Sequence, residues 1–192
     1  MDIHFIRHGK TVANEQKLYC GKTDLPLSEN GVADILNLKA QGIYPQNVDL
    51  FFTSPLIRTT QTLKYIYGDV CAEALPSLAE YHFGQFEMKS YEQLRNNADY
   101  QAWITDEAGL VTCPNGESKQ AFMHRLLEGY NLLLEKSAQV KSTLVVSHGG
   151  VITSIMDYLF PNTHHFYEWQ PKLGCGYTVS YDSIKHYEYK KI

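Results

Sequence analysis

The run Ile3-His4-Phe5-Ile6-Arg7-His8-Gly9 passes from strand-like apolar residues straight into a cation, an imidazole and a glycine. A parallel strand delivers reactive side chains to the carboxyl edge of a sheet in this way. A guanidinium presents fixed donors suited to phosphate oxygens, and a neutral imidazole beside it can attack phosphorus and become phosphorylated. The glycine lets backbone crowd the anion. A second apolar run, residues 143–147, ends likewise in His148-Gly149-Gly150, and a third leads through Thr53-Ser54-Pro55 to Arg58. Attack on a phosphomonoester requires a nucleophilic nitrogen, donors on the equatorial oxygens and an acid for the departing alkoxide. His8 fills the first role. Arg7, Arg58 and His148 surround the phosphoryl group, with the Gly149 amide at a helix start as a further donor. Asn14 either adds an amide donor or caps its own loop. Glu80, at the head of an aromatic-rich stretch, is the candidate acid, because a lid over the site would partly desolvate it; after transfer it would activate water. With these cations and donors in place no metal is expected, and no H-E-x-x-H or aspartate-rich metal signature is present in the sequence.

Convergence of these residues requires strands alternating with helices, so that the strand ends share one edge. After the first strand and a polar loop, Ser28 caps a helix carrying Val32, Ile35, Leu36 and Leu38 and ended by Gly42. Residues 50–53 form a second strand. Ser54-Pro55 starts the next helix, serine as cap and proline at the first position, with Leu56, Leu63 and Ile66 inside and Gly68 closing it. A short edge strand follows at 74–78, limited by Pro76. Residues 79–115 break the rhythm with Tyr81, Phe83, Phe86, Tyr91, Tyr100 and Trp103, and read as an insertion covering the site. A helix at 117–136 turns Phe122, Leu126, Tyr130 and Leu133 to the core, and another occupies 151–160. Two antiparallel edge strands, 177–181 and 186–189 around Asp182-Ser183, end the chain. The expectation is one domain over residues 1–192, an α/β three-layer α/β/α sandwich with a mostly parallel central sheet and a small lid insertion at about 79–116.

Composition narrows the partners. The 192 residues are 44% hydrophobic, enough for a real core, and the formal net charge of −4 supplies no global field for nucleic acid. A small phosphorylated molecule fits a local cluster of cations better. Cys20, Cys71, Cys113 and Cys175 are scattered without zinc or disulfide-scaffold spacing, which suits a reducing cytoplasmic setting. The first residues read directly as strand rather than as an export leader, and no apolar run has the length of a membrane-spanning helix. Exposed edge strands in the tail offer a route to a homodimer. Adjacent His164 and His165 do not face one ion, and with His4, His82, His124 and His186 they are read as structural or surface groups. Gly174-Cys175-Gly176 opens no helix and is not a dinucleotide loop.

The motifs together resemble the histidine phosphatases, or phosphoglycerate mutase-like superfamily. Arg7-His8-Gly9 with Thr11 and Asn14, Tyr19-Cys20-Gly21, and Thr23-Asp24-Leu25-Pro26-Leu27-Ser28 with Gly31 are similar to its opening motif. Ser54-Pro55-Leu56 with Arg58, Thr59, Gln61 and Thr62 resembles the second, Glu80 with Phe83-Gly84 the acid segment, and Ser147-His148-Gly149-Gly150 the fourth; Pro114, Gly116, Glu117, Ser118 and Arg125 resemble the approach to its long helix. The resemblance implies a phosphohistidine at His8, a phosphate pocket of Arg7, Arg58 and His148, and Glu80 as proton donor. Two positions depart from the pattern: Lys10 stands where glutamate is commonest, and Met88 where glycine is usual. Both are expected beside the pocket, whose outer part is assigned to Lys10, Tyr19, Gly21, Lys22, Thr23, Tyr81, His82 and Glu87. The length is similar to alpha-ribazole and broad-specificity phosphatases, which implies hydrolysis of a small phosphorylated metabolite, with alpha-ribazole phosphate the leading guess. A mutase-type transfer and a catalytically silent phospho-ligand binding module are the alternatives.

Overall fold

The computed structural model describes residues 1–182 and 187–192. Strand β1 (Asp2–Arg7) opens the chain, followed by the short α1 (Val12–Glu15) and by α2 (Glu29–Ala40). The Ser28 hydroxyl accepts the Gly31 N–H and so caps α2, a bond worth about 1 kcal/mol. Next come β2 (Leu50–Thr53), α3 (Ile57–Tyr67), β3 (Ala72–Ala74), α4 (Tyr91–Leu94), α5 (Ala98–Ile104) and α6 (Lys119–Ser137). The chain ends with β4 (Ser142–Ser147), α7 (Gly149–Leu159), β5 (Gly176–Tyr181) and β6 (Tyr187–Lys191). These six strands form one sheet in the order β3-β2-β4-β1-β5-β6, parallel from β3 to β1 and antiparallel beyond. The expected α/β sandwich with a mostly parallel central sheet is what the chain adopts.

Two hydrophobic clusters cover the two faces of that sheet. Ile3, Phe5 and Val145 point into one with Leu126 and Leu133 of α6 and Ile152 and Ile155 of α7. Ile6, Leu144 and Val146 point into the other with Ile35 of α2 and Leu63 and Ile66 of α3. Alternate residues of β1 and β4 therefore serve opposite layers, as the two-residue period of a strand requires. The consequence fixes the site. β1 and β4 are neighbours in register, Arg7 level with Ser147, yet the chain leaves β1 towards α2 on one face and β4 towards α7 on the other. Adjacent strands whose connections diverge open a crevice at their carboxyl ends. His8 and His148 are the next residues after those two ends.

Several boundaries differ from the sequence expectations. α3 begins at Ile57, and its cap position is Leu56, which makes no side-chain cap. The Ser54 hydroxyl is instead buried between the His148 ring and the Thr59 hydroxyl, while still accepting the Leu56 N–H. The strand expected at 74–78 is β3 at Ala72–Ala74, and Pro76 starts a 3-10 turn, Pro76–Leu78, in place of a longer pairing. Leu36 of α2 faces solvent. The Phe122, Leu126, Tyr130 and Leu133 stripe of α6 is buried as expected. Gly129 sits in the middle of that helix because a Cβ there would stand 2.6 Å from the Ser77 Cβ, so its absence lets α6 lie against the Pro76–Leu78 turn. The expected turn residue Ser183 and the expected strand start His186 lie outside the described residues. β6 is one edge of the sheet and carries Glu188, Lys190 and Lys191, charges of the kind that blunt edge-to-edge pairing. Among the described residues no helix is long and apolar enough to cross a membrane.

Candidate active site

His8 is buried, and its backbone N–H donates to Ser147 O on β4. Its Nδ1 lies 2.7 Å from the Gly9 carbonyl oxygen. A carbonyl only accepts, so Nδ1 carries the proton. Burial first, then the Arg58 guanidinium, with Arg7 adding to it against the opposing Gly9 bond, lowers the His8 pKa to about 3. The ring is thus neutral, and Nε2 keeps a bare lone pair. His148 stands edge-on with ring centroids 5.2 Å apart. Its Nε2 meets the Ser54 hydroxyl at 2.7 Å, and burial, with Arg58, His8, Arg7 and Arg125 adding to it, holds this imidazole well below its ordinary value. The pair is two uncharged rings with cations beside them.

Those cations are held by backbone carbonyls. Arg7 donates from Nη1 to Pro171 O at 2.8 Å. Arg58, only 1% exposed, donates from Nη1 to Thr23 O at 2.9 Å and from Nη2 to Gly21 O at 2.7 Å. Five buried side-chain polar atoms lack a partner among the described residues, and three of them are Arg7 Nε, Arg58 Nε and His148 Nδ1. A buried orphan of this kind costs about 1–3 kcal/mol. Their grouping around His8 marks a place built for an anion with several acceptor oxygens.

Glu80 reaches the same place from the segment between the Pro76–Leu78 turn and α4. Its Oε2 accepts the Gly150 N–H and its Oε1 the Tyr81 N–H, both at 3.0 Å. A Cβ at position 150 would lie 2.4 Å from Glu80 Oε1 and push the carboxylate aside, so glycine here lets Glu80 sit against the start of α7. Arg125 of α6 clamps this segment by donating to the carbonyls of Ser77, Ala79 and Glu80, and pairs with Glu117 at 2.7 Å. Asn14 caps its own loop. Its Oδ1 accepts from the Thr11 N–H and hydroxyl in a capping box, which leaves the amide NH2 as the group it can offer to the cavity it lines.

That cavity measures about 630 Å3 and is lined by Arg7, His8, Asn14, Glu80 and Gly150, then by Tyr19, Tyr81, Phe83, Trp103 and Phe122. Thr105, Asp106, Glu107 and Lys119 stand along it, and Phe166, Tyr167 and Gln170 come from the segment after α7. Lys119 is occupied, donating to the carbonyls of Asp106 and Ile104 and lying over the Trp103 ring. Phe122 belongs to both the core stripe and the cavity wall.

Several expected lining residues are elsewhere. Lys10 turns away to a 2.7 Å pair with Asp34 of α2. Gly21 and Thr23 serve Arg58 through their carbonyls and do not line the cavity; neither do Lys22, His82 and Glu87. Gly9 gives space to α2, since a Cβ would stand 2.9 Å from Ile35 Cγ1, and its carbonyl orients His8. Gly149 lies where a Cβ would meet Arg7 at 3.1 Å, while Gly150 is the glycine that lines the cavity. Glu87, expected in the outer pocket, has a different role. Its carboxylate accepts the N–H groups of Gly21, Lys22, Thr23 and Phe83 and the Thr23 hydroxyl. One side of the 21–23 loop is thereby pinned by Glu87 while the other holds Arg58.

Met88, next in the chain, has φ 58, is 37% exposed and does not line the pocket either. A side chain in the left-handed region costs about 1–2 kcal/mol. The substitution Met88→Gly is therefore expected to raise the thermal midpoint by stabilising the fold by about 1 kcal/mol. An unchanged or lower midpoint would show that the Met88 side chain compensates for its backbone.

Comparison with known proteins agrees with this geometry. The histidine phosphatase superfamily (branch 1) matches residues 3–188. The chain is 32% identical over 160 residues to the adenosylcobalamin/alpha-ribazole phosphatase of Escherichia coli (strain K12), covering 81% of this chain and 77% of that protein. It is 27% identical over 172 residues to the 2,3-bisphosphoglycerate-dependent phosphoglycerate mutase of Beijerinckia indica, covering 82% of each. The crystal structure of the alpha-ribazole phosphatase from Shigella flexneri aligns with a TM-score of 0.83 at 27% identity, over 99% of this chain and 95% of that one. With the match running from β1 into β6 and both strand-end histidines in one crevice, the chain belongs to the histidine phosphatase superfamily (branch 1) and is a phosphoryl-transfer enzyme, a phosphatase or a mutase.

Proposed function

We propose that the protein hydrolyses a small phosphomonoester whose leaving group is mainly apolar, through a phosphohistidine at His8. The observation that carries this reading is the cavity wall. Beyond Arg7, the cation lining it is Lys119, already engaged by two carbonyls, while the rest of the wall combines aromatic and aliphatic side chains with three carboxylates and uncharged polar groups. A phosphoglycerate brings a carboxylate as well as a phosphate and needs a second free cation. A ring-bearing alcohol needs only the apolar wall, and alpha-ribazole phosphate, named for the relatives in Escherichia coli and Shigella flexneri, is the first compound to try.

The steps follow from the residues. His8 Nε2 attacks phosphorus in line with the ester oxygen, and the P–O bond to the leaving group breaks. Charge on the equatorial oxygens is met by Arg7, Arg58, His148 Nδ1 and the Asn14 amide. Glu80 gives its proton to the departing oxygen, then as carboxylate takes one from water as that water attacks the phosphorylated imidazole. Free His8 and inorganic phosphate result. Every charge has a protein partner in this scheme, and among the described residues no group of three His, Cys, Asp or Glu is arranged to hold a metal ion.

The test is product analysis in chelator with alpha-ribazole phosphate, nucleoside monophosphates, sugar phosphates and 3-phosphoglycerate, wild type beside His8→Ala. Inorganic phosphate released only by the wild type, fastest from a ring-bearing ester, is the expected result. Isomerised phosphoglycerate with little phosphate would make the protein a mutase. Binding of an ester without turnover would replace catalysis with a binding role.

A further inference from the structure

One aromatic pair on the cavity is not accounted for by the phosphate chemistry. Tyr167 is 78% exposed and Phe166 42%, in a stretch where residues 161–168 all face solvent, yet both line the cavity that holds His8. Single exposed aromatic rings need no explanation. This pair shares its cavity with Tyr19, Phe83 and Trp103, which pack tilted and edge-on against one another with centroids 5.0–6.1 Å apart. Tyr167 packs edge-on against Phe166 with ring centroids 5.3 Å apart, so the two rings reach the cavity as one unit.

The segment carrying the pair is firmly rooted. Trp169, 1% exposed, packs among Phe160, Tyr177 and Tyr189. The Glu168 carboxylate accepts the His165 N–H at 2.7 Å. Two residues after Trp169, Pro171 O receives the Arg7 guanidinium. The strand-end arginine that faces the anion is thus tied to the same short segment that presents Phe166 and Tyr167.

We infer that Tyr167 is a specificity-determining residue, roofing the cavity over the leaving group and selecting phosphomonoesters that carry a flat aromatic ring over aliphatic ones of equal size. A ring entering between Tyr167 and the Tyr19, Phe83 and Trp103 wall is stacked from two sides; an aliphatic chain gains area without the stacking geometry. The inference rests on the hydrolase reading above, and its test separates the two. Affinities of a naphthylmethyl phosphonate, a decyl phosphonate and inorganic phosphate, none hydrolysable, are measured by calorimetry for wild type, Tyr167→Ala and Tyr167→Phe. Tyr167→Ala should weaken the aryl compound about tenfold and leave the alkyl compound and inorganic phosphate within about twofold, while Tyr167→Phe stays near wild type. An alanine variant that leaves aryl binding unchanged, or weakens all three ligands alike, overturns the inference, as does a phenylalanine variant as weak as alanine. The matching phosphates are assayed in parallel. Failure of the wild type to release phosphate from either would sink hydrolysis alone, since ring selection is read from binding.

Discussion

His8→Ala is expected to lower kcat/KM by at least about four orders of magnitude and to abolish labelling of the protein by a radioactive phosphomonoester. The size follows from what the residue does alone. The neighbouring imidazole does not replace it, because His148 Nε2 is turned to Ser54 at 2.7 Å and its Nδ1 serves as a donor to the phosphoryl oxygens. The fold should survive, since β1 and β4 pair through backbone from Asp2 to Arg7. Acid stability should improve in the variant. Folded His8 titrates at about 3, whereas in the unfolded chain an imidazole titrates near about 6.5. As pH falls from about 6.5 towards 3 the unfolded chain takes up a proton that the native state refuses, so the wild type loses stability across that window. Removing His8 removes its share of the slope, and His148, depressed in the same direction, retains its own. Thermal midpoints from pH 7 to 4 read the difference. Parallel curves would mean His8 is not held neutral by burial, and a labelled alanine variant would take the nucleophile's role from it.

What the sequence makes legible here is what neighbours in the chain determine. An apolar run ending in Arg7-His8-Gly9 and another ending in His148-Gly149-Gly150 announce strand ends, and two such ends in an alternating chain meet on one edge. Positions fixed by distant partners are not legible. Glu87 reads from the sequence as an outer-pocket acid, yet its five donors come from Gly21, Lys22, Thr23 and Phe83, most of them more than sixty residues away. Ser54 carries a strong capping signal beside Pro55, and a histidine 94 residues along the chain takes its hydroxyl instead. Lys10 follows the motif directly, but α2 passes close enough for Asp34 to draw its amine away from the cavity. The family pattern has a glycine where this chain has Met88, and its φ of 58 shows that the backbone keeps the glycine-like conformation while the residue does not. The two strand-end motifs name the reaction class; the path of the segment after α7, with Phe166 and Tyr167 on the cavity, gives no periodic signal at all.

Glu80→Gln should separate substrates by leaving group. An alkoxide leaves only with a proton, so losing the acid lowers kcat/KM for an alkyl ester by about 10²–10⁴-fold. Nitrophenolate leaves unaided, and kcat/KM for p-nitrophenyl phosphate, which reports events up to its departure, should fall less than about tenfold. The second half-reaction adds a signature. Glu80 also takes the proton from the attacking water, so the phosphorylated His8 should outlive nitrophenolate release, and stopped-flow traces of the variant should show a burst of about one equivalent followed by slow turnover. The environment bears on the choice of control. Gly150 and Tyr81 each aim an N–H at the carboxylate from 3.0 Å, and glutamine can satisfy only one of them, because its amide nitrogen meets the other as a donor. Some displacement is therefore built into the variant. Displacement alone would depress both substrates together and leave no burst. Loss on the alkyl ester with the burst retained on the aryl ester assigns the proton to Glu80, whereas equal losses would move the acid elsewhere in the cavity, with Asp106 and Glu107 the carboxylates left on its wall.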